Sequence, residues 1–177
     1  ATRGVLLFGR NAEAASQVGE AMRNGSVRRR SLALVRGWPP EAGEIDYPLA
    51  GDPELPPAGQ PRLETLTRYE RVACFDWPFS VGGRHASSRY ALGGGEPVTA
   101  RRHQIPRHLK HVPHQPIGDT SHGDGRHNRN FRMLGIHRML LHARRLAFAH
   151  PYTGERVEVT AAVDAGFGRA VEVFGAD

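Results

Sequence analysis

Apolar positions along the chain fall into short runs, and their spacing predicts a mixed set of elements. Gly4-Val5-Leu6-Leu7-Phe8 is an uninterrupted apolar run of strand length and predicts a core strand. Asn11 is a helix N-cap candidate, followed by Ala14, Ala15, Val18 and Met22 at helical spacing, with Gly25 as the C′ stop. Arg28-Arg29-Arg30 leads into Leu32-Ala33-Leu34-Val35, a β-compatible run that Trp38-Pro39-Pro40 ends. Residues 39–62 are rich in Pro and Gly and predict an irregular loop. Tyr69–Phe75 and Ser88–Leu92 predict two strands; Gly93-Gly94-Gly95 then offers no side chains to pack and weakens the second.

The second half is more polar. Residues 101–114 form a basic, His-rich segment with Pro106 near its centre, and residues 121–132 predict a polar loop. Ile136–Ala143 fits a short amphipathic helix. The cleanest β signal is a hairpin: Leu146 and Phe148 alternate, Pro151-Tyr152-Thr153-Gly154 turns, and Val157 and Val159 alternate on the return, which places Phe148, Val157 and Val159 in the core. Phe167, Ala170, Val171 and Phe174 share one helical face, with Gly175 after it. The expected class is α+β with a largely antiparallel sheet, one domain over residues 1–177. Cys74 is expected to be a small buried hydrophobe, and Trp38 and Trp77 to be packing residues.

Composition narrows the function. The 177 residues hold 24 Lys and Arg against 18 Asp and Glu, a formal charge of +6, and Lys110 is the only Lys. Such a balance fits a polyanion partner, though GC-rich coding also favours Arg. No apolar run approaches the ~20 residues of a membrane span, and no charged start followed by an apolar run marks a secretion signal, so none is expected. Cys74 stands alone, which excludes an internal disulfide and a Cys-based zinc cage; a reducing, cytoplasmic setting is expected. The abrupt start at Ala1, directly before an apolar strand, predicts that something upstream is missing.

Eight of the ten His lie between His103 and His142. A metal reading is weak, because no His-Glu-x-x-His motif occurs and Pro106 is expected to disrupt the helix that would align two ligands. Contact with RNA explains the segment better. Arg101, Arg102, Arg107, Lys110, Arg126 and Arg129 supply cations for phosphates. His103, His108, Gln104 and Asn128 supply polar groups that can address base edges.

Residues 99–111, Thr-Ala-Arg-Arg-His-Gln-Ile-Pro-Arg-His-Leu-Lys-His, resemble the Thr-Gly-Arg-x-His-Gln-Ile-Arg-x-His signature of RluA-type pseudouridine synthases. Ile117–Thr120, Gly123–Arg129, His137–Ala143 and His150–Glu155 resemble the tRNA pseudouridine-65 synthase branch of that family. Thr2–Phe8, Val35–Trp38 and Ile45–Leu49 fit as well, so the resemblance covers nearly the whole chain. It implies a pseudouridine synthase fold lacking its N-terminal strands. It also implies isomerisation of uridine to pseudouridine in RNA, with tRNA as partner. Neither cofactor nor metal is implied, no membrane is involved, and the chain is expected to be a monomer. In such enzymes an Asp attacks the flipped-out nucleotide, a Tyr packs on the base and an Arg pairs with the Asp.

Departures from the pattern fall on those positions. The Asp would precede Ala1, the Tyr slot is Ser31 and the Arg slot is Pro106. Arg3 and Ala100 replace small residues of the family pattern, Gly93–Gly95 replaces an alternating strand, and Gln115-Pro116 reorders a His-Pro pair. Three outcomes are therefore in play: an RNA pseudouridine synthase by ancestry, a catalytically dead tRNA-binding module that keeps the basic groove, or a decayed partial product.

Overall fold

A computed structural model describes residues 2–174. The chain folds as β1 (Arg3–Gly4), α1 (Ala12–Arg23), β2 (Arg28–Arg36), β3 (Ala42–Asp46), β4 (Leu49–Ala50), β5 (Arg62–Leu63), β6 (Leu66–Trp77), β7 (Ser88–Pro97), α2 (Gln104–His111), α3 (Gly125–Met133), β8 (Leu141–Ala149), β9 (Arg156–Thr160) and α4 (Ala165–Glu172). The main sheet runs in the order β1-β8-β2-β7-β6-β3, with β9 also on β8. Every pairing in it is antiparallel except the short β1–β8 contact. This is the expected α+β class.

Alternation along β2 sorts the core into two faces. Leu34 joins Tyr90, Phe75, Phe131, Phe167 and Ala170 under α3 and α4. Ala33 and Val35 join Ala91 and Leu141, covered by Ile105 and Leu109 of α2. The helix after Asn11 forms as expected, and the Asn11 side chain accepts the Ala14 N–H at 2.8 Å. The β8–β9 hairpin forms as expected, and its register sets Leu146 opposite Val159 and Phe148 opposite Val157.

Several expectations are corrected. Of the first run, Gly4 alone lies in the strand, paired with β8 after Arg3; Val5 adds one N–H bond to Ala143 O, and Leu6 and Phe8 are 69% and 79% exposed. The edge of β8 that β1 would follow is taken by β9 from Arg145 onward. Ala42–Asp46, inside the expected loop, is an edge strand on β6. Residues 125–133 form a helix, N-capped by the Asp124 carboxylate on the Arg126 N–H. The expected helix at 136–143 is instead an extended connection into β8: Leu140 donates to Ile117 O, and its own carbonyl accepts from Leu34. Cys74 is exposed, on the outward side of β6. Val159 is 43% exposed, and Val157 and Phe148 are only partly buried, because Ala14 and Val18 of α1 stand across an open cavity from Phe148 rather than packed on it. Gly175, the expected helix stop, lies outside the described residues.

Strand β7 continues through Gly93–Gly95, paired on both edges with β2 and β6. Backbone hydrogen bonds to two flanking strands hold it without side chains. Arg30 of β2 and Glu70 of β6 form an ion pair across it. Their strands are two places apart in the sheet, so the pair arches over Gly94. Trp38 and Trp77 do pack. The Trp38 indole donates to Phe75 O, and Trp77 lies against the core beside Phe79 and Phe174.

Candidate functional site

The residue that was expected to break the basic segment sits comfortably within it. Pro106 is third in α2, where the first-turn N–H groups have no intrahelical partner, so its missing donor costs nothing. The helix starts from His103, which adopts a left-handed conformation (φ 50°) and turns the chain. Its carbonyl accepts the Arg107 N–H.

A cleft of about 540 Å³ opens between the start of β2, the turn before α2, the loop after Pro116 and β8. Ser31 and Pro106 both line it, together with Arg29, Arg30, Arg101, His103, Gln104, Asp119, His122 and Arg145. Its size suits one nucleotide-sized group. Ile105, Met139 and Leu141 supply an apolar wall. Arg30 pairs with Glu70 and Arg145 with Glu158. Arg29 and Arg101 have no carboxylate partner among the described residues and instead donate to Thr99 O and Glu64 O. Burial lowers the Arg29 pKa. Among the described residues Asp119 is the only carboxylate lining the cleft, and its Oδ1 is held by the N–H groups of Ser121 and His122.

Three expected RNA contacts are struts inside the fold. Gln104 is buried. Its Nε2 donates to Leu66 O (2.9 Å) and Thr67 Oγ1 (3.0 Å), while its Oε1 accepts from Thr99 Oγ1 (2.9 Å) and Arg101 N (3.0 Å). His108 is fully buried, with Nδ1 against Thr67 Oγ1 and Nε2 against Tyr47 O, both 2.8 Å. The Tyr47 carbonyl can only accept, so His108 Nε2–H donates to it. With the imidazole neutral, as its burial favours, Nδ1 accepts the Thr67 hydroxyl proton while Thr67 Oγ1 accepts from Gln104. Asn128 is buried too, accepting Gly118 N–H at 2.7 Å and donating to Asp119 O at 2.8 Å. These amides and rings have no free edge for a base. They hold the loops that carry Arg101 and Asp119.

The remaining expected residues lie outside the cleft lining. Arg102 is exposed and faces Asp52 and Glu54. Arg107 is half-buried, donating to Ala50 O (2.7 Å) and Arg102 O (2.6 Å). Lys110, Arg126 and Arg129 are exposed. The sequence reading missed Arg29, Arg30, Asp119, His122 and Arg145 as cleft residues. The Arg28–Arg30 triplet beside Ser31 was the available signal.

Burial pushes the pKa of His108 down, against the opposing pull of the Tyr47 carbonyl, with nearby Arg107 and His111 adding to the drop. Burial also lowers His127, whose Nδ1 shares a hydrogen bond with the Tyr90 hydroxyl at 2.7 Å. Tyr90 itself is pushed up to about 12 by burial. Both imidazoles titrate lower folded than unfolded, so their stabilisation is complete above about pH 6.5 and is lost as pH falls below it. The thermal midpoint is therefore expected to drop more between about pH 6.5 and 5.5 than between about 7.5 and 6.5. A flat profile in a calorimetric series would show that neither ring is held neutral.

Among the described residues, no group of three or more His, Cys, Asp or Glu is placed to share a metal ion, and no helix is long and apolar enough to cross a membrane. The profile of the RNA pseudouridylate synthase family matches residues 1–111. The tRNA pseudouridine synthase C of Vibrio parahaemolyticus is 38% identical over 169 residues, covering 92% of this chain and 68% of that protein. That of Haemophilus ducreyi is 38% identical over 179 residues, covering 98% and 73%. Among solved structures, human RNA Pseudouridylate Synthase Domain Containing 1 superposes with a TM-score of 0.66 at 19% identity, over 100% of this chain and 81% of that one. Domain Containing 4 gives 0.65 at 20% identity, over 93% and 69%.

Proposed function

Because the chain belongs to the RNA pseudouridylate synthase family, we propose that its cleft receives a nucleotide of tRNA and that the chain as it stands binds without isomerising it. The tRNA reading is supported by the names of the bacterial relatives. The loss of turnover rests on one observation: Ser31 and Pro106 line the same cleft. The family resemblance puts there a Tyr that packs on the base and an Arg that pairs with the attacking carboxylate. A serine hydroxyl has no ring to stack on a uracil. A proline has neither charge nor N–H with which to keep a carboxylate ionised.

What the cleft retains suits binding. Arg29 and Arg101 face it without carboxylate partners, and Ile105, Met139 and Leu141 offer an apolar surface for a base. Two buried clusters and a closed hydrogen-bond chain through Gln104 favour a folded binding module over a decayed product. We take it to act as a single domain, monomeric, in the cytoplasm and with no cofactor or metal.

Tritium release from tRNA carrying 5-tritiated uridine tests the proposal. Release is expected to equal that of a heat-killed sample, while the same preparation binds tRNA with an affinity that falls as salt rises. Release above the control would overturn the inactive reading. Binding indifferent to salt would overturn the RNA reading.

A further inference from the structure

The cations expected to face RNA do not converge on one place. Arg126 lies far from the Ser31 cleft, at a second concavity of about 470 Å³ formed by the end of β2, the β6–β7 loop and the start of α3. The two concavities share no lining residue. Arg29 and Arg30 mark one end of β2 and Arg36 the other, and at about 3.3 Å per residue this places them roughly 20 Å apart.

The charge of the second concavity is lopsided. Arg36, Arg84, Arg89 and Arg126 line it, with His85 beside them. One carboxylate, Asp124, lies beneath. Its Oδ2 takes Arg36 at 2.6 Å and Arg126 at 3.4 Å, and its Oδ1 caps α3. Burial raises the Asp124 pKa, but the Arg126 N–H and the Arg126 and Arg36 guanidiniums outweigh it and leave the group ionised, below the usual range. Arg84 and Arg89 have no ion pair among the described residues, and both are exposed. Arg89 lies over Trp38, its guanidinium carbon 4.2 Å from the ring centroid. Stacking fixes that cation in place, so ordering it on a ligand loses little rotamer freedom.

The lining offers little besides positive charge. The Ser88 hydroxyl donates to Phe79 O and accepts from Val81 N. His127 holds Tyr90. A site that would recognise one small molecule needs directional polar groups, whereas repeated phosphates need only spaced cations.

We propose that this concavity is a second RNA-backbone site, which grips phosphates of the same tRNA at a distance from the nucleotide in the Ser31 cleft. The proposal rests on the RNA reading given above. It assigns Arg84, Arg89 and Arg126 to positioning the RNA, with β2 as the rigid spacer between the two contacts.

Binding of an unmodified tRNA transcript, followed by fluorescence anisotropy over a salt series, tests it with three proteins. These are the parent chain, Arg84→Gln with Arg89→Gln, and Arg29→Gln with Arg101→Gln. Circular dichroism confirms that each is folded. Losing two phosphate contacts is expected to weaken binding roughly tenfold at low salt and to flatten the log–log salt slope by about two. Parent affinity and slope in the Arg84/Arg89 variant would overturn the second site. If only that variant behaves as the parent while the Arg29/Arg101 variant weakens, the second site fails and the RNA reading stands. If the parent chain itself fails to bind the transcript, or binds it without regard to salt, the RNA reading fails with it.

Discussion

Gln104→Leu is expected to lower the unfolding free energy by about 3–5 kcal/mol, measured by urea denaturation. Leu has nearly the volume of Gln, so no cavity explains the loss. The cost comes from the groups left behind. Leu66 O and Thr67 Oγ1 lose a donor, and Thr99 Oγ1 and Arg101 N lose an acceptor. Each buried group left unpaired costs about 1–3 kcal/mol, and those that reach water cost less. The change also removes what ties the Arg101–His103 turn to β6, so the wall of the cleft loosens and tRNA affinity should fall with stability. A loss under about 1 kcal/mol would mean that solvent replaces the amide.

Gly118→Ala should be nearly as damaging, by about 3 kcal/mol, although it adds one methyl group. Gly118 has φ +81°, and a Cβ built there lies 1.9 Å from the Arg138 carbonyl oxygen and 2.6 Å from its carbon. Backbone cannot yield as a flexible side chain can, so the loop has to move. That movement strains the Gly118 N–H bond to Asn128 and the adjacent bond from Leu140 N to Ile117 O. Gly125→Ala is the control, because nothing lies within 4 Å of its added Cβ. It should change stability by less than about 0.5 kcal/mol in the same denaturation series.

Elements with local signatures were legible in the sequence: the Asn11-capped helix, the Leu32–Val35 strand, the hairpin and the helix at Phe167. Helix α3 was not, because its inward face is built from His127, Asn128 and Phe131. Two of those three are polar and buried for their hydrogen bonds, which hydrophobic periodicity cannot detect. Ile136 and Leu140 are buried at helical spacing, yet they lie in an extended connection whose partners, Leu34 and Ile117, are distant in sequence. The glycine run looked like a weak strand because side-chain packing was the only available measure. Its support comes from strands on both sides.

The site divides in the same way. Residue identity marked Ser31 and Pro106, and the fold places them in one cleft. Identity could not separate the His and Gln of a basic segment that face outward from those that hold it up. Gln104 and His108 sit among cations and look like surface groups until Thr67, distant in sequence, is placed between them.

The ion pair above Gly94 sets what a side chain added in the middle of the sheet would meet. A Cβ at Gly94 would meet Arg30 Nη2 at 3.1 Å and Glu70 Oε1 at 3.3 Å. Both are the far ends of exposed, flexible side chains, so a few tenths of an ångström of give makes room for a methyl group, unlike the fixed carbonyl that faces Gly118. A single Gly94→Ala replacement is thus open to this sheet without prior loss of either charge. The bridge of charge over the glycine run is a movable cover on the middle of the sheet.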